Sequence, residues 1–161
     1  MLQTEQAFPN FQLKDQDDKI HTLADYAGQW LVIYFYPKDN TSACTLEAQD
    51  FTALAPEFKA RKADLVGVSP DSVKSHAGFT TKKNLGITLL SDPEHHLLEA
   101  AGVWQSKKMY GKEYMGVVRT TVIVDPKGRI REVWSKVKVP SHVEKVLERL
   151  IELQQQSSDC N

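Results

Sequence analysis

Cysteine is scarce in this chain, since only Cys44 and Cys160 occur among its 161 residues. Two cysteines so far apart do not form the disulfide framework of a small secreted domain. The first ten residues also lack the basic region and the apolar core of a signal peptide. We therefore expect a cytoplasmic protein whose thiols stay reduced.

An excess of one charge and a long apolar run are also missing. The 20 lysines and arginines nearly balance the 21 aspartates and glutamates, so a net charge of -1 gives no electrostatic reason to expect nucleic-acid or membrane binding. No apolar run approaches the roughly 18 residues of a membrane span. The histidines show no metal-ligand spacing with either cysteine, and phosphate-loop and dinucleotide motifs are absent. We expect no metal, no cofactor, no nucleic acid and no membrane among the partners.

What is present is the composition of an ordinary globular domain, with 41% hydrophobic and 25% charged residues. A chain of this length can form one domain with a sizeable core. We place that domain at residues 1–153, where the apolar periodicity ends. Residues 154–161 are polar and are predicted to form a mobile C-terminal tail.

Strand and helix patterns alternate along the first half of the chain. The polar residues 16–19 separate two short β-type segments, 8–15 and 20–23, which predicts an N-terminal hairpin. The uninterrupted apolar run 30–36 predicts a central strand that is covered on both faces. A helical stripe follows over residues 43–60, and Pro56 is expected to kink or divide that helix. Residues 63–68 predict a second buried strand.

The second half completes an α/β pattern. Residues 69–72 are typical of a helix start with Pro70 at the first helical position, and the chain then offers a short strand at 87–90 and a brief helix at 92–101. Residues 117–124 and 130–134 flank a turn sequence and predict a hairpin. A capping box from Ser141 to Glu144 opens a final amphipathic helix. This order is typical of a three-layer α/β domain of thioredoxin type with an N-terminal hairpin.

Cys44 lies at a chemically special point of this pattern. It falls in the first turn of the predicted helix, just after the predicted buried strand 30–36. A helix N-terminus carries unpaired N–H groups and about half a positive charge, so it favours a thiolate over a thiol. A buried structural cysteine is the alternative, but the neighbours Thr41 and Thr45 are polar. The pattern favours a reactive thiol that attacks peroxides or disulfides.

Thiolate formation alone does not make a thiol fast towards peroxide. Ionising a mostly protonated thiol raises the thiolate fraction about 25-fold at pH 7, but the accompanying fall in nucleophilicity takes back about 8-fold. Other groups must therefore stabilise the charge that moves onto the departing oxygen.

Four residues are candidates for that support, and each has an ordinary alternative. The Thr41 hydroxyl can bind peroxide or cap the helix. Arg119 lies in an apolar predicted strand, where it needs a partner if buried, unless the strand is an edge strand and the arginine faces water. Glu47 lies near Cys44 on the same helix surface and could orient Arg119 or simply be solvated. Pro37 could shield the thiolate or only end the strand.

Several separated motifs point to one family. They are Phe35-Tyr36-Pro37-Lys38-Asp39-Asn40-Thr41, Cys44-Thr45-x-Glu47-Ala48, Gly102-Val103-Trp104, Met109-Tyr110-Gly111-Lys112, Tyr114-Met115-Gly116, and Arg119-x-Thr121 before Ile123-x-Asp125. Over residues 8–153 the chain resembles the bacterioferritin comigratory protein branch of the peroxiredoxins, also called peroxiredoxin Q. The resemblance implies a cofactor-free thiol peroxidase in which Cys44 is the peroxidatic cysteine. It also implies that Pro37, Thr41 and Arg119 complete the peroxide site and that Glu47 supports the arginine.

The chain departs from that branch at two places. Ser42-Ala43 stands where the branch usually has Pro-Gly, at positions whose side chains perform no chemistry. Gln49 stands where many relatives carry a resolving cysteine, five residues after the peroxidatic one. Cys160 is then either a resolving cysteine that the tail brings to Cys44 or an unengaged tail cysteine. We expect a one-cysteine cycle in which an external thiol attacks the Cys44 sulfenic acid.

Three functions compete on this reading. The first is a cytoplasmic thiol peroxidase, a monomer or weak dimer, that reduces hydrogen peroxide and organic hydroperoxides with thioredoxin or another small thiol as reductant. The second is a thioredoxin-like disulfide carrier, but such proteins use Cys-x-x-Cys and this chain has Thr41 in the first position. The third is a non-catalytic peroxide sensor that relays the oxidation of Cys44 to a partner.

Overall fold

A mixed seven-stranded sheet forms the centre of the protein. The structure, a computed structural model, describes residues 2–159 and the side chains of residues 2–156. The strands of this part of the chain are β1 (Gln12–Asp15), β2 (Ile20–Thr22), β3 (Trp30–Phe35), β4 (Ala63–Ser69), β5 (Thr88–Ser91), β6 (Trp104–Met109), β7 (Lys112–Val117), β8 (Thr120–Val124) and β9 (Ile130–Ser135). The helices are α1 (Ser42–Ala60), α2 (Val73–Lys83), α3 (His96–Ala100) and α4 (His142–Asp159), with a 3₁₀ turn over Leu23–Tyr26.

The sheet has the order β2-β1-β5-β4-β3-β8-β9. Its central strands β3, β4 and β5 run parallel, while β8 pairs antiparallel with β3 and with β9. The hairpin of β1 and β2 joins the other edge through β5. Strands β6 and β7 form a separate two-stranded ribbon, which the sequence analysis did not predict.

Two hydrophobic clusters cover the two faces of the sheet, as expected for a central strand without polar alternation. Alternate residues of β3 point to opposite faces, so that Val32 and Tyr34 join one cluster while Leu31, Ile33 and Phe35 join the other. The first cluster contains side chains of α1, α2 and α4, and the second contains side chains of α3 and of the N-terminal segment. The predicted three-layer α/β fold of thioredoxin type is confirmed.

Helix α1 is continuous through Pro56, so of the two predicted effects of this proline, a kink or a division, the division does not occur. A proline inside a helix removes one backbone hydrogen bond and costs about 3 kcal/mol. Phe51 and Phe58 lie on either side of it and are completely buried against the sheet, and this packing holds the two halves in one helix. Pro56 itself is exposed to solvent.

The start of α2 is displaced from its predicted position, whereas α4 begins at His142 as expected but without the predicted cap geometry. Helix α2 begins at Val73 with Ser72 as its N-cap, whose side chain accepts a bond from the Ser75 N–H at 3.1 Å. Ser69 is instead the last residue of β4, and its hydroxyl donates to Asp71. Ser141 precedes α4 with a φ of 64°, which is not the extended backbone of an N-cap in a capping box.

The predicted boundary at residue 153 falls inside a helix, because α4 continues to Asp159. Glutamine is a good helix former, and the Gln154 side chain donates to the Arg61 carbonyl at the end of α1, at 2.7 Å. Residues 154–159 therefore extend the last helix and do not form a separate tail. Residues 160 and 161, including Cys160, lie outside the described residues.

Candidate active site

Cys44 lies where the chain leaves the central strand and enters α1. Strand β3 ends at Phe35, residues 37–41 form a loop, and α1 begins at Ser42 with Thr41 in the N-cap position. The first turn of α1 therefore presents its free N–H groups and its positive dipole end beside Cys44. The Cys44 side chain is only 1% exposed and joins the hydrophobic cluster beneath α1. The predicted location of this thiol is confirmed.

Thr41 and Pro37 both lie in the loop that leads to Cys44, without a direct hydrogen bond to its sulfur among the described residues. The Thr41 hydroxyl donates to the Lys38 carbonyl at 3.0 Å and does not cap α1. With its proton used in this way, the exposed Thr41 oxygen is left to accept a bond from a peroxide O–H group. Pro37 is half-buried directly after β3 and offers no N–H group there.

Arg119 joins Cys44 and Glu47 in one charged group. Its Nη2 donates to the Cys44 sulfur at 3.2 Å, and its Nη1 donates to Glu47 Oε1 at 2.6 Å. The Arg119 side chain is 13% exposed and that of Glu47 is completely buried. A guanidinium group has a planar set of donors, so the bond to Glu47 fixes the direction of the bond to sulfur. Arg119 thus has a buried partner and is not the solvated arginine of an edge strand.

The backbone around Arg119 differs from the prediction of one strand over residues 117–124. Strand β7 ends at Val117 in the ribbon and β8 begins at Thr120 in the main sheet, so Arg119 lies in the two-residue crossing between them. The Arg119 carbonyl accepts a bond from the Val137 N–H at 3.1 Å, which ties this crossing to the segment after β9. The sequence did not indicate this break between β7 and β8, because apolar residues lie on both sides of it and no turn sequence marks the change of sheet.

The electrostatics of the group follow from burial and from its short contacts. Burial raises the pKa of Glu47 to about 7, although the charge and the hydrogen bond of Arg119 act in the opposite direction. Burial alone would lower the pKa of Arg119, but the negative charges of Glu47 and Cys44 and their hydrogen bonds raise it above its ordinary value. Arg119 is therefore charged at all physiological pH values, while Glu47 is about half ionised near neutrality.

A groove with a largely apolar lining opens beside Arg119. Its walls come from the first turns of α1 and from the segment between β9 and α4, and they are formed by Ser42, Ala43, Leu46, Arg119 and residues 137–140, with Lys145 at the edge. On the ribbon, burial and the charge of Arg119 lower the pKa of Lys107, while the charge of Cys44 acts in the opposite direction. The sequence analysis missed Lys107, since it lies in a stretch with no predicted element.

Comparison with known proteins identifies the family of this chain. A family model described as the AhpC/TSA family matches residues 4–133. The chain belongs to the AhpC/TSA family.

Relatives within the family are peroxiredoxins. The chain is 46% identical over 145 residues to Peroxiredoxin Bcp of Bacillus subtilis, covering 90% of this chain and 92% of the relative. It is 48% identical over 129 residues to Peroxiredoxin Bcp of Xanthomonas campestris, with 80% and 81% covered. The predicted resemblance to the bacterioferritin comigratory protein branch is confirmed.

Solved structures of this branch superpose closely on the fold. A crystal structure of a cysteine mutant of Xylella fastidiosa PrxQ aligns with a TM-score of 0.91 at 39% identity, over 96% of this chain and 98% of that chain. A structure of the Xanthomonas campestris bacterioferritin comigratory protein, studied for its alkyl peroxide reduction activity, aligns with a TM-score of 0.85 at 44% identity, over 88% and 90%. This peroxiredoxin is therefore an enzyme, a thiol peroxidase that takes its electrons from a thiol.

The peroxiredoxin also contains a buried polar network that the sequence analysis missed. Asp39, in the loop before Cys44, accepts bonds from Tyr36, Ser75 and His76, and its backbone N–H donates to Asp71. Asp39 belongs to the motif that carried the family resemblance, but its partners are distant in sequence and no local pattern links them to it.

Potential metal ligands and the length of apolar helices are two further features of residues 2–159 that bear on the sequence-based expectations. The one group of potential metal ligands found there is Asp39, Asp71 and His76, and the oxygens and nitrogens of these side chains already bond to protein groups. None of the helices in residues 2–159 is both long enough and apolar enough to cross a bilayer.

Proposed function

We propose that Cys44 is the peroxidatic cysteine of this thiol peroxidase and that Arg119, held by Glu47, stabilises the charge that develops during its oxidation. The observation that carries the proposal is the pair of bonds made by one guanidinium group, 3.2 Å to the sulfur and 2.6 Å to the buried carboxylate. Such a fixed cation beside the sulfur costs no rearrangement at the moment of reaction.

The first half of the cycle oxidises the thiol. The Cys44 thiolate attacks one oxygen of the peroxide, the O–O bond breaks, and the sulfur becomes a sulfenic acid while the other oxygen leaves as hydroxide or alkoxide. That oxygen takes up a proton and departs as water or alcohol. Arg119 lies beside the sulfur and can stabilise the transferred negative charge, and the Thr41 oxygen can accept the peroxide O–H and orient it.

The second half returns the thiol and uses an external reductant. A reductant thiol attacks the Cys44 sulfenic acid, releasing water and forming a mixed disulfide, and a second thiol then reduces that disulfide. We propose thioredoxin or another small thiol for this role, in the cytoplasm, with the enzyme as a monomer or a weak dimer. A lone reactive thiol persists in a reducing compartment.

The course of α4 supports this one-cysteine cycle. Gln154 contacts Arg61 at the far end of α1. Arg61 lies 17 residues after Cys44, which corresponds to roughly 26 Å along the helix axis. The remaining residues to Asp159 continue the helix beyond that contact. Gln49, at the position of the resolving cysteine in many relatives, is exposed and cannot form a disulfide. An internal disulfide between Cys44 and Cys160 would require the end of α4 to unwind and fold back.

The apolar groove supports organic hydroperoxides as substrates in addition to hydrogen peroxide. Leu46, Val137 and Val139 line it next to Arg119, and an alkyl chain placed there would leave water while its peroxide group faces the arginine. The Xanthomonas campestris relative was studied for alkyl peroxide reduction, which agrees with this choice.

The proposal is tested with Cys44→Ser in a peroxide assay coupled to NADPH through thioredoxin and its reductase, using hydrogen peroxide and cumene hydroperoxide. We expect turnover of both peroxides by the wild type and none by the variant, because a serine hydroxyl is far too weak an acid to replace a thiolate. The circular dichroism spectrum of the variant should match that of the wild type. Turnover by the variant would remove Cys44 from its role. A wild type that is oxidised once and does not turn over with any thiol would instead be a peroxide sensor.

A further inference from the structure

The loop that precedes Cys44 is held by a buried network that the peroxidase chemistry does not use. Asp39 is the centre of this network and is 4% exposed. Its Oδ1 accepts a bond from the Tyr36 hydroxyl at 2.6 Å, and its Oδ2 accepts bonds from the Ser75 hydroxyl at 2.7 Å and from His76 Nδ1 at 2.8 Å. Its backbone N–H donates to Asp71 at 2.8 Å.

His76 lies between two acceptors in this arrangement. Its Nδ1 faces the Asp39 carboxylate and its Nε2 faces the Leu90 carbonyl at 2.9 Å. Both partners accept hydrogen bonds, and the imidazolium form, which donates from both ring nitrogens, satisfies both of them. Burial alone would raise the pKa of Asp39, but the hydrogen bonds of His76, Tyr36 and Ser75 and the charge of His76 lower it, and Asp39 is ionised.

The pair is therefore a completely buried salt bridge whose other polar atoms are also bonded. The side chains of His76 and Asp39 are 0% and 1% exposed. Breaking one partner of such a pair leaves an uncompensated charge in the interior, which is strongly unfavourable. His76 belongs to α2 and Leu90 to β5, so the pair fastens the loop before Cys44 to two elements that carry no part of the peroxide site.

We propose that His76 is a positioning residue that clamps the loop before Cys44. This clamp holds the site in the closed arrangement that reacts with peroxide, and it limits the access of the reductant to the Cys44 sulfenic acid. The proposal rests on the proposed function of Cys44.

The burial of Cys44 gives the two halves of the cycle opposite requirements. The sulfur must stay at its place beside Arg119 to react with peroxide. A reductant thiol must reach the same sulfur, which is 1% exposed, along the direction of the S–O bond, and this requires the loop and the first turn of α1 to open. A clamp on the loop therefore favours oxidation and opposes reduction.

The test uses His76→Asn with a matched control that the chain itself offers. His21 bonds Asp15 at 2.6 Å and Tyr26 at 2.7 Å, so it belongs to a second histidine–aspartate–tyrosine set. That set lies at the β1–β2 edge of the sheet, and three strands separate β2 from β3. His21→Asn removes the same chemistry without touching the loop before Cys44.

Both half-reactions are measured on each protein. The rate of Cys44 oxidation is followed by stopped-flow fluorescence after mixing with hydrogen peroxide. The rate of sulfenic acid reduction is followed by intact mass after one equivalent of peroxide and a defined excess of glutathione. We expect His76→Asn to slow oxidation at least fivefold and to accelerate reduction at least fivefold, while His21→Asn stays within twofold of wild type in both.

The outcomes separate the clamp from a merely structural role. If both rates fall together in His76→Asn, or if neither changes in a folded variant, the clamp is refuted. If His76→Asn does not fold, Ser75→Ala decides, because it removes one bond to Asp39 and retains the salt bridge. It should also slow oxidation and accelerate reduction, each by a smaller factor. A wild type whose Cys44 does not react with peroxide would refute the proposed function and the clamp with it, whereas the results above, obtained with a reactive wild type, refute the clamp alone.

Discussion

At the scale of single residues, the site depends on how Arg119 is supported. An arginine that is largely removed from water loses hydration that only charged and hydrogen-bonded partners can offset. Glu47 and Cys44 supply those partners from one turn of α1. The same contacts that make the burial of Arg119 tolerable also direct its free edge towards the reacting sulfur.

Replacing Arg119 is expected to slow the oxidation of Cys44. Arg119→Ala should reduce the rate by about 100-fold, by analogy with the loss of one donor to a developing oxyanion. Arg119→Lys should recover only part of the rate, because an ammonium group cannot bond the sulfur and Glu47 with fixed geometry. Stopped-flow oxidation by hydrogen peroxide measures both.

A control for this substitution is Arg131→Ala. Arg131 is also partly buried and pairs with Asp125 at 3.6 Å, but it lies over Trp30 at the opposite end of β3 from the site. It should leave the oxidation rate unchanged. Normal peroxide kinetics in Arg119→Ala would show that Arg119 has only a structural role.

Glu47 should make the stability of the folded protein depend on pH. Its pKa is raised from 4.5 to about 7 on folding, so the folded state holds a proton that the unfolded state releases. The resulting stabilisation is fully present below about pH 4.5 and is lost as the pH rises to about 7, a change of about 3 kcal/mol. Glu47→Gln cannot titrate.

Urea denaturation of the reduced proteins at pH 4 to 8 measures this effect. The free energy of unfolding of the wild type, minus that of Glu47→Gln, should fall by about 3 kcal/mol over that range. Parallel pH profiles for the two proteins would mean that Arg119 keeps Glu47 ionised throughout and that burial has the smaller effect.

At the scale of elements, α1 combines a reactive first turn with an internal proline. Pro56 is exposed and α1 continues past it. Pro56→Ala restores a backbone hydrogen bond and improves helix propensity by up to about 3 kcal/mol, while the more flexible unfolded chain takes back about 1 kcal/mol. We expect a net stabilisation of about 1–2 kcal/mol, with unchanged peroxidase activity.

The measurement is urea denaturation, with Glu57→Ala as a control at the neighbouring exposed position. That control should change the free energy of unfolding by less than about 0.5 kcal/mol. Destabilisation by Pro56→Ala would indicate that the packing of Phe51 and Phe58 requires the geometry that proline imposes.

The elements that the sequence predicts correctly are those with strong periodicity. The apolar run of β3 and the helical stripe of α1 depend on burial, which leaves a direct pattern in the sequence. The ribbon of β6 and β7 was missed because its strands are mostly exposed. The end of α4 was misplaced because residues 154–159 are all polar and give no apolar stripe to mark a helix.

The site shows the same division. The position of Cys44 at a helix start could be predicted from local sequence, and a partner for Arg119 could be inferred from the cost of burial. The crossing from β7 to β8 and the bonds from Asp39 to His76 could not, because both depend on how distant segments meet in the folded sheet.

At the scale of the whole molecule, α4 passes the far end of α1 at Arg61 and continues to Asp159. Cys160→Ser should leave steady-state peroxidase turnover within about twofold of wild type, because α4 ends far from Cys44 and the proposed cycle uses an external thiol. The coupled assay with thioredoxin measures turnover.

Intact mass under non-reducing conditions, after one equivalent of peroxide, identifies the oxidised form. We expect the mass of one added oxygen on the monomer. Loss of two protons within one chain, or a disulfide-linked dimer that Cys160→Ser abolishes, would contradict the one-cysteine cycle. Size-exclusion chromatography of the reduced protein at several concentrations shows whether it is a monomer or a weak dimer.

The bond between Arg119 and Cys44 joins residues that are 75 positions apart, and Arg119 directly precedes β8, which pairs with β3. During synthesis the thiol emerges from the ribosome long before the arginine does, and contacts of such long range form late in folding. If Arg119 has the proposed role, we expect the thiol of a nascent or unfolded chain to react slowly with peroxide. Rapid peroxide reactivity would then be acquired only by molecules that have completed their topology.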